Sequence, residues 1–81
     1  MDRLLDARGL ACPLPALKAR AALAELATND ALVVLATDPE APVDIGALAA
    51  EAGRAFSAAR GEDGAWRLVI AVGSPGGTRE G

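Results

Sequence analysis

The residue best equipped for chemistry in this chain is Cys12, which stands directly before Pro13-Leu14-Pro15 and the helix-forming run Ala16-Leu17-Lys18-Ala19-Arg20. The chain holds no histidine and no second cysteine. Cys–His acyl transfer, a Cys-x-x-Cys redox pair and an internal disulfide are therefore excluded. A zinc site of the usual four-ligand kind is excluded as well, so neither a metal nor a cofactor is expected. What remains is chemistry that a single activated thiol can perform, such as attack on a sulfur–sulfur bond.

Activation is expected from the start of the helix. Pro13 biases Cys12 away from helical angles, which places Cys12 at the N-cap and Pro13 at the first helical position. Pro15 restricts Leu14 in the same way, so a helix beginning at Pro15 is the alternative. Free N–H groups and partial positive charge at a helix start favour a thiolate. A thiol of pKa ~8.5 is roughly a tenth ionised at pH 7.5, whereas a shift to ~7 makes most of it thiolate. Pro13 and Pro15 have no N–H, which leaves those of Leu14 and Ala16 as first-turn donors for the sulfur. Gly9, just upstream, supplies backbone freedom for a turn.

The elements that must position this thiol follow from pattern. Residues 3 to 7 read as a short strand and residues 13 to 27 as a helix rich in Ala, Leu, Lys and Glu. On that helix Ala16, Ala19, Leu23 and Leu26 share the sheet-facing side, and Leu17 packs toward a second helix. Thr28-Asn29-Asp30 forms the turn that follows. Residues 31 to 37, apolar on both faces, read as a central strand. Pro42 opens a second helix that runs to about Arg54, with Ile45, Leu48, Ala49 and Ala52 as its apolar stripe. Residues 55 to 60 and 65 to 72 flank Asp63-Gly64 as an antiparallel hairpin, with Trp66, Leu68, Ile70 and Val72 on one face. The order is βαβαββ. A right-handed crossover between parallel first and second strands gives a two-layer α/β sandwich, a four-stranded mixed sheet with both helices on one face and the other face partly bare. The 81 residues make one domain over 1–73 and a flexible tail over 74–81.

Composition narrows the partners. Hydrophobic residues make up 52% and aromatics only 2%, so the core is built mainly of alanine, leucine and valine. The net charge is -3, and the eight basic residues form no cluster, which argues against direct nucleic-acid binding. No apolar run approaches the ~18 residues of a membrane span, and the N-terminus has no signal core. A cytoplasmic, reducing home suits the lone thiol.

From about residue 4 to 72 the sequence resembles the TusA family of small sulfur-carrier proteins, also called SirA-like. The matching residues are Cys12-Pro13-Leu14-Pro15, preceded by Leu5-Asp6 and Gly9 and followed by Lys18 and Arg20, with a second block at Asp38-Pro39 and Asp44-Ile45. Thr28-Asn29-Asp30 departs from the Pro-Gly-Glu turn common in the family. The resemblance implies that Cys12 carries sulfur as a persulfide. A donor protein, a cysteine desulfurase or a rhodanese-like protein, would load it, and a cysteine on an acceptor protein would receive it. Such a relay serves tRNA thiolation, molybdenum-cofactor formation or sulfur oxidation. The resemblance thus implies a sulfurtransferase acting as a persulfide relay, a carrier rather than a multiple-turnover enzyme on a small substrate. Gly9, Pro13, Leu14 and Pro15 would position the thiolate. Leu14, Lys18 and Arg20 would dock partners, and a monomer suits a carrier that shows one residue to several of them.

Each reading has a plainer rival. Leu14 fits packing against the second helix as well as an apolar patch beside the thiol. Lys18 and Arg20 fit solvated helix positions, while Asp38 and Asp44 read as a turn residue and a helix-dipole partner. The competing function is a non-catalytic regulatory or interaction module on the same fold, for which Cys12 is dispensable.

Overall fold

In a computed structural model the chain is described over residues 2–27 and 29–73, the last two by backbone alone. The proposed tail, Thr28 of the turn and the side chain of Val72 lie outside the described residues. The elements are β1 (Arg3–Ala7), α1 (Leu14–Ala24), β2 (Leu32–Ala36), α2 (Ala41–Glu51), β3 (Arg54–Arg60) and β4 (Trp66–Gly73). The βαβαββ order and the four-stranded mixed sheet are as expected. The strand order is β1-β2-β4-β3, with β1 parallel to β2 and β4 antiparallel to both β2 and β3.

Side-chain alternation sorts the sheet into two faces. The registers Leu5↔Val34↔Leu68↔Ala58 and Leu32↔Ile70↔Phe56 point toward the helices. Fully buried Leu32, Val34, Leu68 and Ile70 meet Ile45 of α2 there, and alanines at 7, 19, 36, 41 and 49 fill the remaining space. The opposite face carries Leu4, Val33, Leu35 and Val69. Leu4 is 64% exposed, while Val33, in the sheet interior, is buried. Trp66 packs at the edge of the core as a sheet residue, with the Arg60 guanidinium 4.7 Å from its ring centre.

Both helices are shorter than their sequence patterns suggest. α1 stops at Ala24, three residues early, where Glu25 and Leu26 N–H groups turn back to the carbonyls of Ala22 and Leu23. The Arg54 guanidinium then donates to the carbonyls of Ala27, Asp30 and Ala71, which fixes the α1–β2 connection against β4. α2 stops at Glu51 because Gly53, at φ +71°, provides a left-handed exit that frees Arg54 to begin β3. Ala52, assigned to the apolar stripe, is exposed just past the helix end. On α1 the fully covered positions are Pro15, Ala19 and Ala22, whereas Ala16, Leu23 and Leu26 are half-buried at the margins. Leu17, expected to pack, is 55% exposed.

The core has few large side chains, so each carries much of the burial. Leu68→Ala is expected to cost about 2–5 kcal/mol, a large share of the roughly 5–15 kcal/mol typical of a domain. Urea unfolding checks this: the midpoint should fall while the slope stays near that of the parent protein.

Candidate functional site

The parallel β1–β2 pair sets the location of the site. Strands that run the same way deliver their following loops to the same end of the sheet. Residues 8 to 13, after β1, therefore meet residues 37 to 40, after β2. Gly9 turns the first loop at φ +83°, a conformation costly for other residues, and its N–H donates to Thr37 Oγ1 at 2.9 Å. Upstream, the Asp6 carboxylate takes three bonds from Arg8, through the backbone N–H, Nε and NH2. These bonds, the side-chain ones foremost, lower the Asp6 pKa to about 2.

Asp38 ties the two loops together. Its Oδ2 accepts the Cys12 backbone N–H, while its Oδ1 accepts Glu40 N–H at 2.9 Å and its carbonyl accepts Ala41 N–H at 3.0 Å. One residue thus fixes the backbone of Cys12 and also shapes the start of α2. Asp44, in the first turn of α2, faces the thiol. The Cys12 S–H donates to Asp44 Oδ2 at 3.4 Å.

Cys12 is not the N-cap. That position belongs to Pro13, across a cis Cys12–Pro13 bond, with Leu14 and Pro15 as the first two helical residues. The first helical bond runs from Leu17 N–H to the Pro13 carbonyl at 3.1 Å. The Leu14 N–H, expected to serve the sulfur, closes a turn onto the Ala11 carbonyl at 2.8 Å. The sulfur therefore stands outside the helix's first donors and finds a carboxylate instead. The direction of its pKa reverses accordingly. The hydrogen bond to Asp44 raises it above the ordinary thiol value, aided by partial desolvation and by the negative charge of Asp44, Asp38 and Glu40.

The thiol opens onto a groove of about 380 Å³ between the helices. Cys12, Pro13, Ala16, Leu17 and Arg20 line one side, and Asp44, Ala47, Leu48 and Glu51 the other. Arg20 and Glu51 bridge the groove at 3.4 Å, and beyond them it continues past Leu23, Ala24 and Ala52. Of the residues assigned to docking, Arg20 lies in the groove. Leu14 is 45% exposed near the thiol but does not line the groove. Lys18 is exposed on the outer side of α1, with no hydrogen bond or ion pair among the described residues. Pro15 is buried beneath the motif and anchors it to the core. Sequence reasoning missed Leu17 and Glu51 as groove residues and Asp44 as the partner of the sulfur. The signal for Asp44 was present: parallel strands must bring the Asp38–Asp44 block beside the Cys12 loop. Among the described residues no cluster of three or more His, Cys, Asp or Glu is arranged to hold a metal ion. No helix among them is long and apolar enough to cross a membrane.

Comparison with known proteins bears on what this thiol does. A family model described as Sulfurtransferase TusA matches residues 3–72. A candidate sulfur carrier protein of Neisseria meningitidis serogroup A is 46% identical over 66 residues, covering 82% of this chain and 89% of that protein. The sulfur carrier protein TusA of Allochromatium vinosum is 38% identical over 69 residues, covering 85% and 91%. The crystal structure of a SirA-like protein from Desulfitobacterium hafniense superposes with a TM-score of 0.80 at 27% identity, over 91% of this chain and all of that one.

The acidity of Cys12 is directly measurable. Alkylation rate against pH should give a midpoint above ~8.5, and Asp44→Asn should bring it down. A midpoint near 7 in the parent protein would restore the helix-start reading. Because Cys12 has a higher pKa folded than unfolded, its contribution to stability is complete below ~8.5 and is lost as pH rises through the folded value.

Proposed function

The chain belongs to the TusA family of sulfurtransferases, and from that premise we propose that Cys12 is the sulfur-carrying residue, loaded as a persulfide by one protein and unloaded to another. The observation that carries this reading is the placement of the chain's sole cysteine. Its thiol is exposed, braced at the backbone by Asp38, and set at the mouth of a groove that a partner can enter.

The transfer balances without an external oxidant. A lone pair on Cys12 Sγ attacks the terminal sulfur of a donor Cys–S–SH. A new S–S bond forms and the donor's S–S bond breaks, its electron pair leaving on the donor sulfur. The proton given up by Cys12 replaces the one that the donor cysteine lacks. Unloading follows the same logic: an acceptor thiolate attacks the outer sulfur, the Cys12 S–S bond breaks with its electron pair leaving on Cys12 Sγ, and the proton that the acceptor thiol gave up restores the Cys12 thiol.

The surroundings have separate tasks. Gly9 and Pro15 place the loop and root it in the core. Pro13 and Leu14 set the turn from loop to helix. Arg20, with Leu14 and Leu17, offers a mixed charged and apolar surface for docking, and Lys18 flanks it. The partners are a sulfur-donor protein such as a cysteine desulfurase and a sulfur-acceptor protein, with the carrier acting as a monomer in the cytoplasm within tRNA thiolation, molybdenum-cofactor formation or sulfur oxidation.

Incubation with a cysteine desulfurase and cysteine should add one sulfur atom to the parent protein and none to Cys12→Ala, read by intact mass. Equal labelling of the two, or labelling of neither with desulfurase or rhodanese-like donors, would return the chain to the regulatory-module reading. Docking is tested separately. Leu14→Ser and Leu17→Ser each remove about 1 kcal/mol of apolar contact and should slow loading roughly fivefold. Their unfolding midpoints should stay near the parent's, because both side chains are largely exposed.

A further inference from the structure

The electrostatics of the thiol set a condition on what can react with it. Asp44 Oδ2 lies 3.4 Å from Cys12 Sγ, and Asp38 holds the Cys12 N–H. Glu40 sits beside them as the N-cap residue of α2. On the β2–α2 side Asp44 touches the sulfur, Asp38 braces its backbone, and Asp38 and Glu40 act on it by their negative charge. From the α1 side the charged group in the groove is Arg20, which Glu51 engages at 3.4 Å. Arg8, on the preceding loop, is taken up by Asp6 at 2.8 Å and approaches Asp63 at 4.0 Å. Among the described residues, then, no unpaired cation faces the sulfur, and the site as a whole is acidic.

We propose that this acid frame makes Cys12 selective for a sulfur donor whose reacting sulfur is flanked by arginine or lysine side chains, and that Asp44 is the residue that imposes the selection. The proposal rests on the carrier reading of Cys12 and deepens it by naming the chemistry of the donor. Charge complementarity supplies the reason. As Sγ attacks, negative charge moves from Cys12 to the leaving sulfur of the donor. A cation beside that sulfur stabilises the charge there, and on approach it also offsets the three carboxylates. An anionic donor meets the frame with like charge, which costs both encounter and reaction. In the free protein Asp44 holds the proton-bearing thiol in place. Until a cation arrives, the sulfur is thereby kept less reactive toward neutral and anionic electrophiles.

The selection is a property of the site itself and can be read with small symmetrical disulfides. Cystamine is cationic, bis(2-hydroxyethyl) disulfide is neutral and dithiodipropionate is anionic. Each exchange rate with Cys12 is measured by intact mass at low salt and divided by the rate of the same disulfide with N-acetylcysteine amide, a neutral free thiol. The normalised cystamine rate should exceed the dithiodipropionate rate by roughly tenfold or more. High salt should compress that ratio in the parent protein, and Asp44→Asn should reduce it at low salt. Equal normalised rates for the three disulfides would overturn the proposal. So would a preference that survives both high salt and the Asp44→Asn, Glu40→Gln double substitution. The carrier reading fails independently. A protein that prefers cystamine yet takes no sulfur from any donor keeps its acid frame and loses its persulfide role. One that takes sulfur with no charge preference does the opposite.

Discussion

The site depends on one pairing, the parallel register of β1 on β2 from Arg3↔Leu32 to Ala7↔Ala36. It sends the loop after each strand to the same end of the sheet and starts both helices there. Cys12 then meets residues 26 to 32 positions later in the chain, Asp38 through its N–H and Asp44 through its sulfur. An antiparallel pair would have placed those loops at opposite ends, and the thiol would have lacked both partners. The hairpin β3–β4 completes the sheet without entering the site, and Arg54 secures the opposite end by gathering three carbonyls.

Two electrostatic influences compete at Cys12. The start of α1 favours a thiolate, and the start of α2 brings carboxylates that oppose it. The carboxylates prevail because of position. Helix-terminal N–H groups act within the first turn, and the first of them, on Leu14, is already bonded to the Ala11 carbonyl. Asp44 touches the sulfur directly. A cysteine one residue farther along, at the true N-cap, would have faced a different balance.

Much of this was legible in the sequence. Residues 3 to 7, β-branched and apolar 32 to 36, and the Asp63-Gly64 turn give the strands and hairpin, and Cys12-Pro13-Leu14-Pro15 with the Asp38–Asp44 block gives the family. Helix ends were less legible: α2 ends on the local exit at Gly53, while the chain after α1 is held by a tertiary partner. Arg54 reads as the tail of a helix until its guanidinium is seen capping the α1–β2 connection. The position of β4 between β2 and β3 is likewise a matter of packing, which a one-dimensional pattern does not carry. Leu17 has the same character as the core leucines and is exposed only because α1 and α2 leave a groove at that point. The sign of the Cys12 shift required the third dimension, since a local view sees the prolines and the helix but not a carboxylate 32 residues away.

The exposure of the Cys12 sulfur also bears on how safely cargo could travel. A sulfane sulfur attached there would project farther into water, with no lid to cover it among the described residues. Small thiols in solution would be its chief thieves, and those bearing carboxylates would be turned aside by the same side chains that surround the sulfur. Protection of that kind needs no enclosure, and it leaves the cargo open to a large partner that can bring its own positive charge.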